Sequence, residues 1–327
     1  MSRPRPSSAR RLRAYVTDAL REIRATGLFS STVAWDEVSR EAQAVLDGAG
    51  CYADTHAFLT TVLQQAGGRH SHLTQPPGSV VRRQQNIRVT AALGPPTPTG
   101  HLIDQASAAV AYLRLPRLPE GRKAGRRYLA DGTTVMRGLI TARPCGWIVD
   151  LRANIGGGIW PILGVAAPLL PDGVLGHFLY FDDRVETWSA DRGRIKLGGK
   201  TMARSRTHHP PEDHTPIAVL TSRHTASAGE AVALAFRAQP RASLIGTPTA
   251  GMTTANRTHV LRDGTRLHIS TAFYADHDLR PIEGPVPIDQ HLADNSRDNA
   301  MSTALTWIRR HARPPHDPGD PTPNHNH

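Results

Sequence analysis

Trp147-Ile148-Val149-Asp150-Leu151 runs directly into Arg152-Ala153-Asn154-Ile155-Gly156-Gly157-Gly158. A short, mostly apolar run bounded by turn residues reads as a buried strand. Three consecutive glycines after it permit backbone conformations closed to other residues and a close approach to a ligand. N–H groups displayed in such a turn face negative charge well. A phosphate would suit them, but G-x-x-x-x-G-K-[ST] and G-x-G-x-x-G are both absent. Taken alone, the stretch is as readable as a flexible turn.

The same grammar continues on both sides. Val110 to Leu115 reads as a second buried strand, Ile159 to Leu170 as a helix and Ile217 to Thr221 as a strand. Ala228 to Ala238 then reads as a helix and Ser243 to Gly246 as a strand. Strand, helix, strand in that order is the signature of an α/β core. Arg257 to Leu261 and Thr265 to Ala272 flank Asp263-Gly264 as a hairpin, and a closing helix is expected near Met301 to Arg310. Upstream, three apolar patterns at helical spacing stop at Gly27, Gly48 and Gly67-Gly68. The organisation expected is an N-terminal helical domain over 1–75, a connecting segment over 76–108 with one strand at Ile87 to Leu93, an α/β core over 109–312 and a disordered tail over 313–327.

Charge and cysteine content narrow the classes. The formal net charge of +11 raises nucleic-acid binding, yet residues 1–27 carry seven arginines against Asp18 and Glu22. Residues 117–127 add Arg117, Arg122, Lys123, Arg126 and Arg127 against Glu120, so the excess sits in a terminal arm and one expected loop, where solvated charge is the ordinary reading. Cys51 and Cys145 lie far apart in sequence without a C-x-x-C pattern, which favours free thiols over a disulfide framework. No apolar stretch follows the basic N-terminus and no long apolar run occurs elsewhere. The expectation is a cytoplasmic protein that binds neither nucleic acid nor membrane.

Thr225-Ala226-Ser227-Ala228-Gly229-Glu230 lies between an expected strand and the helix it opens. A hydroxyl at that point has the positive end of the helix dipole beside it, and the N–H of the following residue is free to bind an oxyanion. Ser227 and Glu230 are equally a capping box, which needs no catalysis.

Together the two segments resemble the C-terminal-processing (tail-specific) peptidase and tricorn core-protease family of serine peptidases. Asp150-Leu151-Arg152-Ala153-Asn154-Ile155-Gly156-Gly157-Gly158 is similar to that family's glycine loop, and Thr225 to Glu230 to its nucleophile motif. Leu244-Ile245-Gly246-Thr247-Pro248-Thr249-Ala250-Gly251 and Ile282-Glu283-Gly284-Pro285-Val286-Pro287-Ile288-Asp289 match in kind and order. The resemblance covers about residues 109 to 292. It implies a ClpP/crotonase-like α/β core behind a small N-terminal helical domain, a peptide or protein substrate and no cofactor or metal; homo-oligomerisation stays open.

Departures from the pattern choose the branch. Tail-specific members place a lysine after the Thr-x-Gly turn, where this chain has Met252, and no lysine follows Lys200. A thioether takes no proton from a serine, so Met252 is expected to be silent. There is also no room for an inserted PDZ domain. Both features resemble the tricorn-like branch, whose base is an early histidine. In Gly67-Gly68-Arg69-His70, His70 occupies that position, with Arg69 where the tricorn enzyme has an auxiliary serine. Glu283 matches the branch's supporting glutamate.

The implied chemistry is acyl transfer. Ser227 attacks a carbonyl, His70 takes its proton, Glu283 steadies the imidazole, and the Ala228 N–H with Gly156 or Gly157 holds the oxyanion. The base is expected to titrate at roughly 6 to 7.5. A β-branched residue at Gly157 is expected to harm acylation more than stability. His70 and His72 at i, i+2 lack a third ligand for zinc, His224 reads as a loop residue and Glu230 as a cap. A non-catalytic binding homologue of the same fold is the alternative.

Overall fold

A computed structural model of the chain describes residues 6–76, 79–80, 84, 88, 91–103, 109–205, 207, 215–293 and 297–312. The elements in chain order begin with α1 (Pro6–Thr26), α2 (Trp35–Gly48) and α3 (His56–Gly67). There follow β1 (His72–Thr74), β2 (Thr99–Ile103), β3 (Val110–Arg114), α4 (Arg122–Thr141) and β4 (Gly146–Asp150). Next come α5 (Ile159–Ala166), β5 (Gly173–Tyr180), β6 (Val185–Asp191), β7 (Arg194–Leu197) and β8 (Lys200–Arg204). The chain closes with β9 (Ile217–Thr221), α6 (Ala228–Arg237), β10 (Ala242–Gly246), β11 (Thr254–Val260), β12 (Arg266–Ala275), β13 (Gln290–His291) and α7 (Arg297–His311).

One sheet has the order β13-β10-β9-β4-β3-β2. Neighbours from β13 to β3 are parallel, and β2 is antiparallel at the edge. Parallel neighbours need crossovers, and α4 and α6 supply them between β3 and β4 and between β9 and β10. Helices cover both faces, which is why these strands read as unbroken apolar runs. Trp147 and Val149 face one core with Met136, Leu163 and Phe236, and Ile148 faces the other with Ala300, Ala304 and Ile308.

The second sheet is antiparallel, in the order β1-β12-β5-β6-β7-β8 with β11 also on β12. Tyr15, Val16 and Ile23 of α1 and Leu59, Val62 and Leu63 of α3 share one apolar cluster with Leu267 and Ile269 of β12. The helices of residues 1–75 therefore pack directly on this sheet, and β1 enters it.

Four expectations change. Residues Arg88, Ala91, Ala92 and Leu93 are helical, where a strand was expected over Ile87 to Leu93. The connecting segment 76–108 contributes β2 to the first sheet. Most of the basic stretch 117–127, expected as a loop, opens helix α4. The four strands from Gly173 to Arg204 were not foreseen, since their faces mix exposed and buried positions. The tail expected over 313–327 lies outside the described residues. Cys51 and Cys145 are free thiols. Among the described residues, no helix is long and apolar enough to cross a membrane, and no group of three or more His, Cys, Asp or Glu could hold a metal ion.

Candidate active site

Ser227 stands at the N-cap of α6 with φ +53° and ψ −116°. Positive φ is uncommon for a residue with a Cβ, and strain of about 1–3 kcal/mol at such a position clusters at functional sites. Two loops hold it there. Ala226 N–H donates to the Asn154 carbonyl at 2.9 Å, which ties the serine turn to the glycine loop after β4. Glu230, fully buried, accepts from Ser227 N–H at 2.9 Å, Thr249 Oγ1 at 2.6 Å, Gly251 N–H at 2.7 Å and Met252 N–H at 2.8 Å. Burial pushes this carboxyl up, and the hydrogen bonds from Thr249, Ser227, Gly251 and Met252 oppose that push. Glu230 thus caps the helix, as expected, and also fixes the turn that follows β10.

The glycine loop touches the nucleophile. Gly156 and Gly157 have φ of +106° and +117°, and a Cβ on Gly156 would lie 2.9 Å from Ser227 Cβ. Their N–H groups differ in use. Gly156 N–H donates to Asn154 Oδ1 at 3.0 Å, so it is spent within the loop and is corrected from the expected oxyanion donors. Among the described residues, no hydrogen bond occupies the Gly157 N–H or the Ala228 N–H, the first amide of α6.

His70 follows α3 and is 8% exposed. Its Nδ1 lies 2.8 Å from Thr254 Oγ1 at the start of β11. Burial, with the neighbouring charges of His72, His268 and Arg69, pulls it down to about 4, below the expected range of 6 to 7.5. Thr254 pairs in register with Phe273 of β12, and the next residue, Tyr274, brings its buried hydroxyl to the Ser227 side chain. Among the described residues, no hydrogen bond joins His70 to Ser227 directly.

Glu283 is not brought to His70. It is exposed and makes no hydrogen bond or ion pair among the described residues, because Thr253 Oγ1 holds the carbonyls on either side of it, Ile282 at 2.7 Å and Gly284 at 3.0 Å, and leaves its side chain outward. The partner of the imidazole is a threonine. Arg69, in the auxiliary-serine position, donates through Nη2 to the carbonyls of Ala250 and Gly251 at 2.7 and 2.8 Å. Met252 serves the site through its backbone N–H to Glu230. His224 is exposed.

Ser227 opens onto a cleft of about 600 Å³ walled by Trp160, Phe178, Tyr180, Asn256 and Tyr274. Its aromatic wall comes largely from the antiparallel sheet, of which only the β11–β12 hairpin is read from the sequence. Thr254, Asn256 and Tyr274 were also missed. Alternation on β11 could have marked the first two as sharing a face, but nothing in the sequence says what that face meets.

Comparison with known proteins bears on the family and the fold. The chain is 29% identical over 295 residues to the nisin-resistance protein of Lactococcus lactis subsp. lactis, covering 90% of this chain and 86% of that one. Its fold is similar to that of a lipoprotein from Streptococcus agalactiae, with a TM-score of 0.72, 22% identity and coverage of 95% and 99%. It is also similar to the photosystem II D1 C-terminal processing protease, with a TM-score of 0.58, 15% identity and coverage of 90% and 97%. The profile of peptidase family S41 matches residues 109–292, over half of the chain, and the protein therefore belongs to that family and is a serine peptidase acting on a peptide or protein substrate.

Proposed function

We propose that the protein hydrolyses peptide bonds through an acyl-enzyme formed on Ser227, with His70 as the general base. The observation that carries this is Ser227 itself, held at positive φ at the N-terminus of α6 and opening onto the cleft. The reaction asks for a hydroxyl oxygen to lose a proton as it attacks a carbonyl, and a neutral imidazole to take it. His70, drawn down to about 4, is neutral at physiological pH. Negative charge then develops on the carbonyl oxygen, and the N–H groups of Ala228 and Gly157, unoccupied among the described residues, are the donors for it. His70 returns the proton to the leaving amine, and water releases the acyl group. A direct contact between Ser227 and His70 belongs to the substrate-bound enzyme in this reading, since catalytic hydrogen bonds often tighten only there. The test is labelling with a fluorophosphonate followed by mapping of the modified peptide. The label belongs on Ser227 and is absent from Ser227→Ala; a label elsewhere, or none, refutes the assignment.

The relative named for nisin resistance favours a narrower reading of the substrate. Nisin, itself a peptide, is the first substrate to try. If it stays intact with enzyme that labels at Ser227, the narrower reading fails and the broader one stands.

A further inference from the structure

We propose that Thr254, Ser270 and Asn256 are positioning residues that fix the tautomer of His70, keeping its proton on Nδ1 and leaving Nε2 to accept. This rests on the reading of His70 as the base. The His70 carbonyl has no hydrogen to give. The Asn256 group 3.2 Å from it is therefore the amide nitrogen, and Oδ1 points the other way. Oδ1 only accepts, so Ser270 Oγ, 2.8 Å away, gives it its one hydrogen. Ser270 Oγ is then left to accept from Thr254 Oγ1 at 3.0 Å. With its hydrogen spent, Thr254 accepts from His70 at 2.8 Å, and Nδ1 is the nitrogen that carries N–H.

Every direction in this loop is forced, and the loop begins and ends on His70. The neutral imidazole it selects has its lone pair on Nε2, the form a general base needs. A carboxylate orienting a catalytic histidine does the same and adds a charge. Here the end of the loop is a neutral amide, in keeping with a histidine that burial already keeps uncharged. The fold builds it through a bulge. The ladder of β11 on β12 shifts register between Ala255 and Asn256, so Asn256 stands opposite Ser270, and bulges commonly re-aim side chains beside active sites. Asn256 also lines the cleft, so a bound peptide meets the far end of the loop.

The test is nitrogen NMR of the enzyme labelled at histidine, with kinetics of Thr254→Val, Thr254→Ser and His70→Ala. Wild type carries the His70 proton on Nδ1, and a wild-type proton on Nε2 overturns the proposal without any variant. Thr254→Val removes the hydroxyl and keeps the shape and strand preference; the proton moves toward Nε2. Its kcat should fall by at least about tenfold, short of the roughly ten-thousandfold seen for a wrong tautomer in a Ser-His-Asp peptidase, with KM changed by less than about twofold. Thr254→Ser restores both the tautomer and kcat. If Thr254→Val keeps the wild-type tautomer and rate while His70→Ala is inactive, the positioning role fails and the base reading stands. If His70→Ala labels at the wild-type rate, the base reading itself has failed.

Discussion

Glu230 Oε2 accepts the Ser227 N–H at 2.9 Å, so the carboxylate three residues beyond the nucleophile fixes the backbone from which the nucleophile projects. The same group holds Thr249, Gly251 and Met252, while Arg69 grips the carbonyls of Ala250 and Gly251. Glu230→Gln turns an acceptor of four hydrogen bonds into a group with an NH2 facing N–H donors. It should destabilise the fold by about 2 to 4 kcal/mol, since buried partners of a charged group are left unsatisfied. Thermal unfolding and the rate of Ser227 labelling should both fall. An unchanged midpoint with normal labelling would reduce Glu230 to an ordinary helix cap.

Glu283→Gln gives the opposite expectation. An exposed carboxylate without a hydrogen bond or ion pair among the described residues has little to lose on neutralisation, so stability should stay within about 0.5 kcal/mol of wild type. Acylation should be unaffected. A loss matching that of His70→Ala would show that substrate binding carries Glu283 to the base.

The contrast between these two glutamates shows what was legible in the sequence. Strands β3, β4, β9 and β10 of the parallel core could be read because they are buried on both faces over most of their length and announce themselves as apolar runs, as in Trp147 to Val149. Ser227 could be read because it is contiguous with its cap, Glu230, and because the distant glycine loop is a second local motif that resembles the same family. The partner of His70 could not, because Thr254 lies 184 residues away and reaches it through the register of β11 on β12. Sequence order suggested a carboxylate at Glu283, and tertiary pairing supplied a hydroxyl. Strands β5 to β8 are hard to read for a related reason: Val174 and Val185 are exposed apolar residues that blur the alternation.

Gly157 is a less clean probe of the oxyanion site than its place in the motif suggests. Its φ of +117° is strained for any residue with a Cβ, and a methyl there would run into the Leu118 carbonyl. Gly157→Ala should therefore cost more than about 2 kcal/mol, and Gly157→Val should lose stability at least as much as acylation. A well-folded Gly157→Ala with slow labelling would mean that the loop has room to yield and that only its N–H matters.

The last prediction concerns pH. His70 lies at about 4 in the folded chain, below its ordinary 6.5, with burial as the main cause and the charges of His72, His268 and Arg69 adding to it. A folded-state pKa below the unfolded one means that the unfolded chain binds the extra proton more tightly between those two values. The stability associated with His70 is thus complete above 6.5 and is lost as the pH falls toward 4. The loss is on the order of 3 kcal/mol. His70→Gln should flatten the unfolding midpoint across that window. The same shift moves the kinetic limb: a base that stays neutral down to about 4 should leave fluorophosphonate labelling level from pH 8 to about 5 and let it fall below that. A limb between 6 and 7.5 would mean that the base is a solvated histidine and would take the role from a buried His70.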